Sequence, residues 1–335
     1  MASGDDLLKL FKAFKENDKV SFTKVAYDII EEEKRKNHSL LASKLENMLF
    51  KNDKACTFKS SKTTYLSKQI PVDKESGFDL MEMKFPKKCL DDIVLMENNQ
   101  KKIEGILNEF KKKEILRSYG QYPKTRILFC GPPGTGKTIT AEAISNELGI
   151  PMLYTRFDSI ISSFLGETAT NLRKIFEFSN EGEWVLFFDE FDSIAKSRDI
   201  SSEHGELKRV VNSFLQLIDN FPKDKIVIAA TNYEKLIDKA LWRRFDEIIF
   251  FDKPNIKEIM KLIDKILKKY KKKEFSLENN SKKMIGMSFS DVERLCNNVI
   301  KEMILTDKNF IDDEMFLRCI ARERERELLV DNFSK

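Results

Sequence analysis

The sequence predicts an α/β fold: a parallel β-sheet sandwiched by helices, preceded by a helical N-terminal domain and followed by a small all-α domain. Three observations predict it. Between residues 126 and 250, short and nearly continuous apolar runs alternate with amphipathic helical patterns. That is how strands buried on both faces of a parallel sheet read. The first of those runs ends in the glycine-rich stretch GPPGTGKT. After Pro254 the short apolar runs stop and only helical periodicity remains.

Taken in order, residues 5–50 place Leu7, Leu8, Phe11 and Phe14 at helical spacing, then Val25, Ile29 and Ile30, then Leu41, Leu45, Met48 and Leu49. They predict a helical N-terminal domain over 1–55. Residues 56–87 are rich in Lys, Ser and Thr and read as a linker or irregular, strand-bearing connector. Residues 88–253 form the α/β domain. Its strands are TRILFCG, PMLYTRF, WVLFFDE, KIVIAATN and EIIFF, and its helices include TITAEAISNEL, ATNLRKIFEFSN and GELKRVVNSFLQLID. Residues 254–335 hold NIKEIMKLIDKILKKY, SFSDVERLCNNVIKEMIL and IDDEMFLRCIARERERELL, three amphipathic helices of an all-α lid domain. Ser290 with Glu293 reads as the cap and capping-box partner of the second of these.

The bulk composition excludes several classes. The 335 residues are 41% hydrophobic and 34% charged, enough for a sizeable core of two or three domains. With 59 basic residues against 55 acidic, the net charge of +4 gives no concentrated basic face, so nucleic acid is not an expected partner. The lysine runs Lys111–Lys113 and Lys271–Lys273 read as solvated helix faces. The cysteines at 56, 89, 130, 296 and 319 are scattered, without CxxC spacing. Neither a zinc cluster nor a disulfide framework is indicated, and a reduced cytoplasmic location fits. The start MASGDDLLKLFKAF lacks the basic region and long apolar run of a secretory signal. No stretch reaches the roughly 18 apolar residues of a membrane span.

The chemistry lies in two motifs. GPPGTGKT, Gly131 to Thr138, fits G-x-x-x-x-G-K-S/T between a strand and a helix, the context a phosphate-binding P-loop requires. Its glycines let the loop turn N–H groups inwards, and the following helix adds its positive dipole end. Pro133, Gly134, Thr135, Gly136 and Ile139 are nucleotide-contact candidates beside Lys137 and Thr138. Lys137 would neutralise the β- and γ-phosphates, and the Thr138 hydroxyl would hold Mg2+. VLFFDE, Val185 to Glu190, puts two carboxylates at the end of a buried strand. Asp189 is the candidate metal ligand and Glu190 the candidate base for an attacking water. Together they predict a P-loop NTPase that hydrolyses its nucleotide.

At these motifs the chain resembles the AAA+ ATPases, specifically the classical AAA clade, over about residues 88–320. The resemblance makes Asn232, in KIVIAATN, the residue that helps place the water. It makes Arg243 and Arg244, in DKALWRRFDEII, the arginine fingers that reach a neighbouring subunit's nucleotide. Asp92 and Ile93 match the family's first nucleotide contact, a D-I-x-G segment, but Leu95 replaces its glycine. GMSFSD, Gly286 to Asp291, matches the lid signature G-x-S-G-A-D, with Phe289 and Ser290 in place of small residues beside the adenine. The triplet Phe164, Leu165 and Gly166 matches pore loop 1, which lines the channel of a hexamer and grips polypeptide. By its residues alone, Phe164 could equally pack beneath the helix that follows.

The resemblance therefore implies a homohexameric protein remodeller or unfoldase, with ATP/ADP and Mg2+ as cofactors and polypeptide as substrate. The alternatives are a nucleic-acid motor or loader and a nucleotide-dependent assembly switch. The sequence has only His38 and His204 and no HExxH motif. Any proteolysis would come from a separate protease or adaptor recruited through the N-terminal domain.

Overall fold

A computed structural model describes residues 69–74, 77–160, 165–192, 204–232, 242–272 and 274–333, together with isolated residues before them. The chain divides into two compact units, Met1–Thr57 and Phe58–Lys335. In the first unit Leu8, Lys9, Phe11, Lys12, Lys15, Val25, Ile29 and Glu32 are described, and all are helical. Ile29 is buried, whereas Leu8 and Phe11 are exposed.

The second unit holds a six-stranded sheet. Its strands are β1 (Glu82–Lys84), β2 (Arg126–Cys130), β3 (Met152–Arg156), β4 (Val185–Asp189), β5 (Ile226–Thr231) and β6 (Glu247–Phe250). Their order in the sheet is β1-β3-β4-β5-β2-β6. All neighbours are parallel except β1, which pairs antiparallel with β3. The five strands legible in the sequence are present. The sixth, β1, comes from the polar stretch read as a connector, because three residues with no apolar run give no strand signal of their own.

Helices α1 (Glu97–Lys111), α2 (Lys113–Ser118), α3 (Lys137–Leu148), α4 (Phe157–Ile160), α5 (Leu165–Asn180) and α6 (His204–Asn220) surround the sheet. Side-chain alternation along each strand separates two cores. Ile127, Phe129, Val185, Phe187, Ile226 and Ile228 pack against Ile103 and Ile106 of α1 and Ala141 and Ile144 of α3. Leu128, Leu186, Phe188 and Val227 pack on the other face against Leu172 and Phe176 of α5 and Phe214 and Ile218 of α6. Within this second core Phe157, Phe176, Phe188, Phe191 and Phe214 form a cluster of tilted and edge-on rings with one stacked pair, Phe176 on Phe188, and with the ring centroids of Phe191 and Phe214 4.8 Å apart. Edge-on ring pairs stabilise by about 0.5–1.5 kcal/mol beyond area burial. This cluster flanks Asp189 and Glu190 on both sides in sequence and so anchors the turn that carries them.

Four further helices make the lid: α7 (Ile256–Leu267), α8 (Leu277–Lys282), α9 (Phe289–Leu305) and α10 (Asp313–Phe333). They close around a separate apolar core that includes Ile259, Ile263, Leu295, Val299 and Phe316. Asn255 caps α7 in a capping box with Glu258. The cap of α9 differs from the sequence reading: Ser288 is the cap and Asp291 its box partner, two residues before Ser290 and Glu293. Both serine–acid pairs have the right spacing. The earlier one wins because the helix starts at Phe289, which leaves Ser290 free to face the α/β domain. Among the described residues, no helix is long and apolar enough to cross a membrane.

Candidate functional site

Parallel sheets gather functional groups at the carboxyl ends of their strands, where the strand order reverses. Here the chain leaves β2 and enters β3, which lies beyond β5 and β4 in the sheet. The loops after β2, β4 and β5 meet around a cavity of about 520 Å³, a size ordinary for ligand sites.

The loop after β2 is shaped by two close approaches. At Gly131, with φ at +144°, a Cβ would lie 2.0 Å from the Phe251 carbonyl oxygen, so only glycine fits beside the residue that follows β6. Gly134, with φ at +74°, meets the Ser288 hydroxyl in the same way. The loop ends at α3, whose first turn carries no side-chain cap, so its N–H groups are open to an anion. Lys137 is buried and donates to the carbonyls of Gly131 at 2.6 Å and Pro132 at 2.8 Å. The Thr135 hydroxyl donates to the Pro132 carbonyl. Pro133, Gly134, Gly136, Lys137, Thr138 and Ile139 line the cavity, whereas Thr135 faces away into the loop.

The carboxylates stand opposite. The Thr138 hydroxyl donates to Asp189 Oδ2 at 3.0 Å, bringing together a hydroxyl and a carboxylate suited to a hard cation. Tyr154, on β3, donates to the same oxygen at 3.2 Å. Burial and then the Asp189 charge push the Tyr154 phenol well above its usual range. The phenol is thus a permanent donor that holds the carboxylate. Among the described residues, no cluster of three or more His, Cys, Asp or Glu could hold a metal by itself.

Glu190 adopts φ at +54°, a left-handed conformation uncommon for a residue with a side chain. Such strain persists where surrounding structure enforces it. Here Phe191 N–H donates to the Ala230 carbonyl at 2.9 Å and Asn232 N–H to Asp192 at 3.3 Å, so the turn is tied to the end of β5. Glu190 and Asn232 both reach the cavity wall. Arg156, at the end of β3, forms an ion pair with Glu190 at 3.7 Å.

The opposite wall mixes aliphatic and charged side chains. Asp92, Ile93 and Leu95 contribute from the segment around Leu90–Asp92, and Leu262 and Ile266 from α7. Lys265 of α7 donates to the Asp91 carbonyl, a bond from lid to α/β domain. Burial pulls the Lys265 ammonium below its usual range, partly offset by Asp92 and Asp91. The lid also touches the phosphate loop directly: Ser290 N–H donates to the Gly134 carbonyl at 3.1 Å and the Ser290 hydroxyl reaches it at 3.3 Å.

The structure thus brings together all the nucleotide-site candidates from the sequence except Thr135. Arg243 and Arg244 lie apart from the cavity and are exposed. Arg244 pairs with Asp219 of α6 at 2.9 Å, while Arg243 makes no ion pair among the described residues. Leu165 and Gly166 open α5, and Phe164 lies outside the described residues. Sequence reasoning missed Tyr154, Arg156, Leu262, Lys265 and Ile266. The first two take their places from sheet order, which the sequence does not state: parallel pairing sets Tyr154 beside Phe187 and Arg156 beside Asp189.

Comparison with known proteins is consistent with this site. The family described as "ATPase family associated with various cellular activities (AAA)" matches residues 127–253. The chain is 40% identical over 326 residues to a protein of Sinorhizobium fredii described as an uncharacterized AAA family ATPase, y4kL, covering 97% of each. It is 28% identical over 263 residues to a Methanocaldococcus jannaschii protein named as a 26S proteasome regulatory subunit homolog, spanning 75% of this chain and 70% of that one. It is 35% identical over 219 residues to protein SAV of Sulfolobus acidocaldarius, spanning 63% of this chain but 28% of SAV.

Proposed function

The chain belongs to the AAA family of ATPases, and we propose that it couples Mg2+-dependent ATP hydrolysis to the remodelling of protein substrates as a homohexamer. The observation that carries the hydrolytic half is the Thr138–Asp189 hydrogen bond beside Glu190 and Asn232, opposite the Lys137 loop. In this reading the loop N–H groups and Lys137 bind the β- and γ-phosphates, Lys137 exchanging its two loop carbonyls for phosphate oxygens. Thr138 and Asp189 would hold Mg2+, which would supply positive charge to the phosphates. Glu190 takes the proton from water and Asn232 orients that water.

The assembled half rests on Arg243. It is exposed and outside its own subunit's cavity, so it fits a role at a neighbour's γ-phosphate. Arg244, held by Asp219, fits a supporting role in the loop. The sequence triplet Phe164, Leu165 and Gly166 supports engagement of polypeptide, because an aromatic grips an extended chain through its apolar face without reading sequence. Residues 1–55 are proposed to recruit substrate, an adaptor or a separate protease.

ATPase activity measured against protein concentration tests both halves, for wild type and Phe164→Ala, with and without casein. Specific activity that rises with concentration and with casein, and a variant that hydrolyses ATP but ignores casein, supports the reading. Concentration-independent activity, with a variant that unfolds, overturns the ring and threading model in favour of a loader or nucleotide switch.

A further inference from the structure

Phe289 is the first residue of α9. It is only half-buried and belongs to none of the three apolar cores. Among the described residues it makes no ring contact with another aromatic. Its side chain instead lines the cavity. An aromatic that begins a helix and packs in no core has a surface waiting for something flat.

Its neighbours say where that surface lies. Ser290, next in sequence, bonds to the Gly134 carbonyl of the phosphate loop through both its N–H and its hydroxyl. The ring therefore enters the cavity within one residue of that loop. The wall beyond carries the aliphatic side chains Ile93, Leu95, Leu262 and Ile266, with Lys88, Asp92, Lys265 and Glu293 among them. Phosphates held by Lys137 and Thr138 leave the nucleoside to occupy this half. Leu95 and Phe289 both line this half of the cavity, so apolar side-chain surface is available to a base here.

We propose that Phe289 stacks on the base of the bound nucleotide and supplies a major share of nucleoside affinity. The proposal rests on the nucleotide-site reading above and adds to it a specificity residue. A π-face accepts any base, so the ring reads flatness rather than the base's hydrogen-bonding edge. Lys88 and Lys265 supply side-chain donors on this side, Lys265 carried by the same lid.

The test compares ligands with and without a base. Binding of MgATP, MgADP and magnesium tripolyphosphate is measured by calorimetry for wild type, Phe289→Ala and Phe289→Trp. Phe289→Ala should weaken ATP and ADP by roughly 5- to 150-fold, the range for loss of one base–aromatic stack. Tripolyphosphate should bind the variant as it binds wild type, which also shows that the phosphate loop has kept its shape. Phe289→Trp should retain ATP binding to within about threefold. Unchanged ATP binding in Phe289→Ala overturns the proposal. So does an equal loss for ATP and tripolyphosphate, which would mean that the ring shapes the loop instead. Failure of the underlying site reading looks different: wild type would then bind neither ATP nor tripolyphosphate, and both proposals would fall together.

Discussion

Replacing Gly134 by alanine perturbs two things that can be measured separately. The residue sits at φ +74°, where an L-residue is strained by roughly 1–2 kcal/mol. That strain is present whether or not the lid touches the loop, so it appears in thermal stability. The second effect is contact: the new Cβ would lie 2.6 Å from the Ser288 hydroxyl oxygen and 3.1 Å from its Cβ. Ser288 cannot swing aside cheaply. It is buried, its hydroxyl donates to Asp291 at 2.6 Å, and the Asp291 N–H returns a bond at 3.2 Å. The start of α9 must therefore back away and surrender the Ser290–Gly134 hydrogen bond, about 0.5–1.5 kcal/mol. That share acts only when lid and loop close together, so it should raise the ADP dissociation constant by roughly 2- to 12-fold. Calorimetric ADP titrations of wild type, Gly134→Ala, Ser288→Ala and the double variant form the cycle. Ser288→Ala removes the nearest clashing atom, so in that background Gly134→Ala should lose at least about twofold less affinity. An equal loss in both backgrounds would refute the reasoning, because the lid contact would then have no part in the effect.

Other predictions follow from the same geometry. Arg243→Ala should lower turnover about 10³-fold or more while leaving ADP affinity intact, and mixing with a Glu190→Gln subunit should restore part of it if the arginine acts in trans. Arg244→Ala should cost less turnover and act instead through loss of the Asp219 pair. Lys225→Met removes three donors from the carbonyls of Ser179, Asn180 and Gly182 at the end of α5. Such charged hydrogen bonds contribute about 1.5–3 kcal/mol, so denaturant unfolding should shift to lower concentration with an unchanged slope. Asp291 carries a pH signature. Burial pushes its carboxyl up, but the Ser288 hydroxyl and N–H and the Arg294 guanidinium outweigh that and hold it below its usual value. A folded value below the unfolded one stabilises above the unfolded pKa and is lost as pH falls through the folded value. The stability gap between wild type and Asp291→Asn should thus be widest above about pH 5 and narrow towards about pH 3.

How much of this was legible in the sequence depends on whether a signal is local. The phosphate loop was legible because one strand, one turn and one helix are contiguous, and its glycines are required by approaches that any sequence of this fold must make. Asp189 and Glu190 were legible because four apolar residues before them fix a buried strand and hence its end. Tyr154 was not, although it shares a carboxylate oxygen with Thr138: its role depends on β3 lying next to β4, a fact of sheet order that no residue of PMLYTRF states. Strand β1 was legible only as an unplaced strand within a linker or strand-bearing connector, since an edge strand of three residues is defined by its partner and not by its own hydrophobicity. The lid cap shows a third kind of limit. Ser288–Asp291 and Ser290–Glu293 are equivalent as capping boxes, and the choice between them is made in space, where Ser290 binds the Gly134 carbonyl. That choice turns the ring of Phe289 into the cavity. In the sequence this phenylalanine stands in the lid signature where the resemblance implies a small residue beside the adenine. In the structure it lies outside all three apolar cores and lines the cavity, which is where its proposed stack on the base would form.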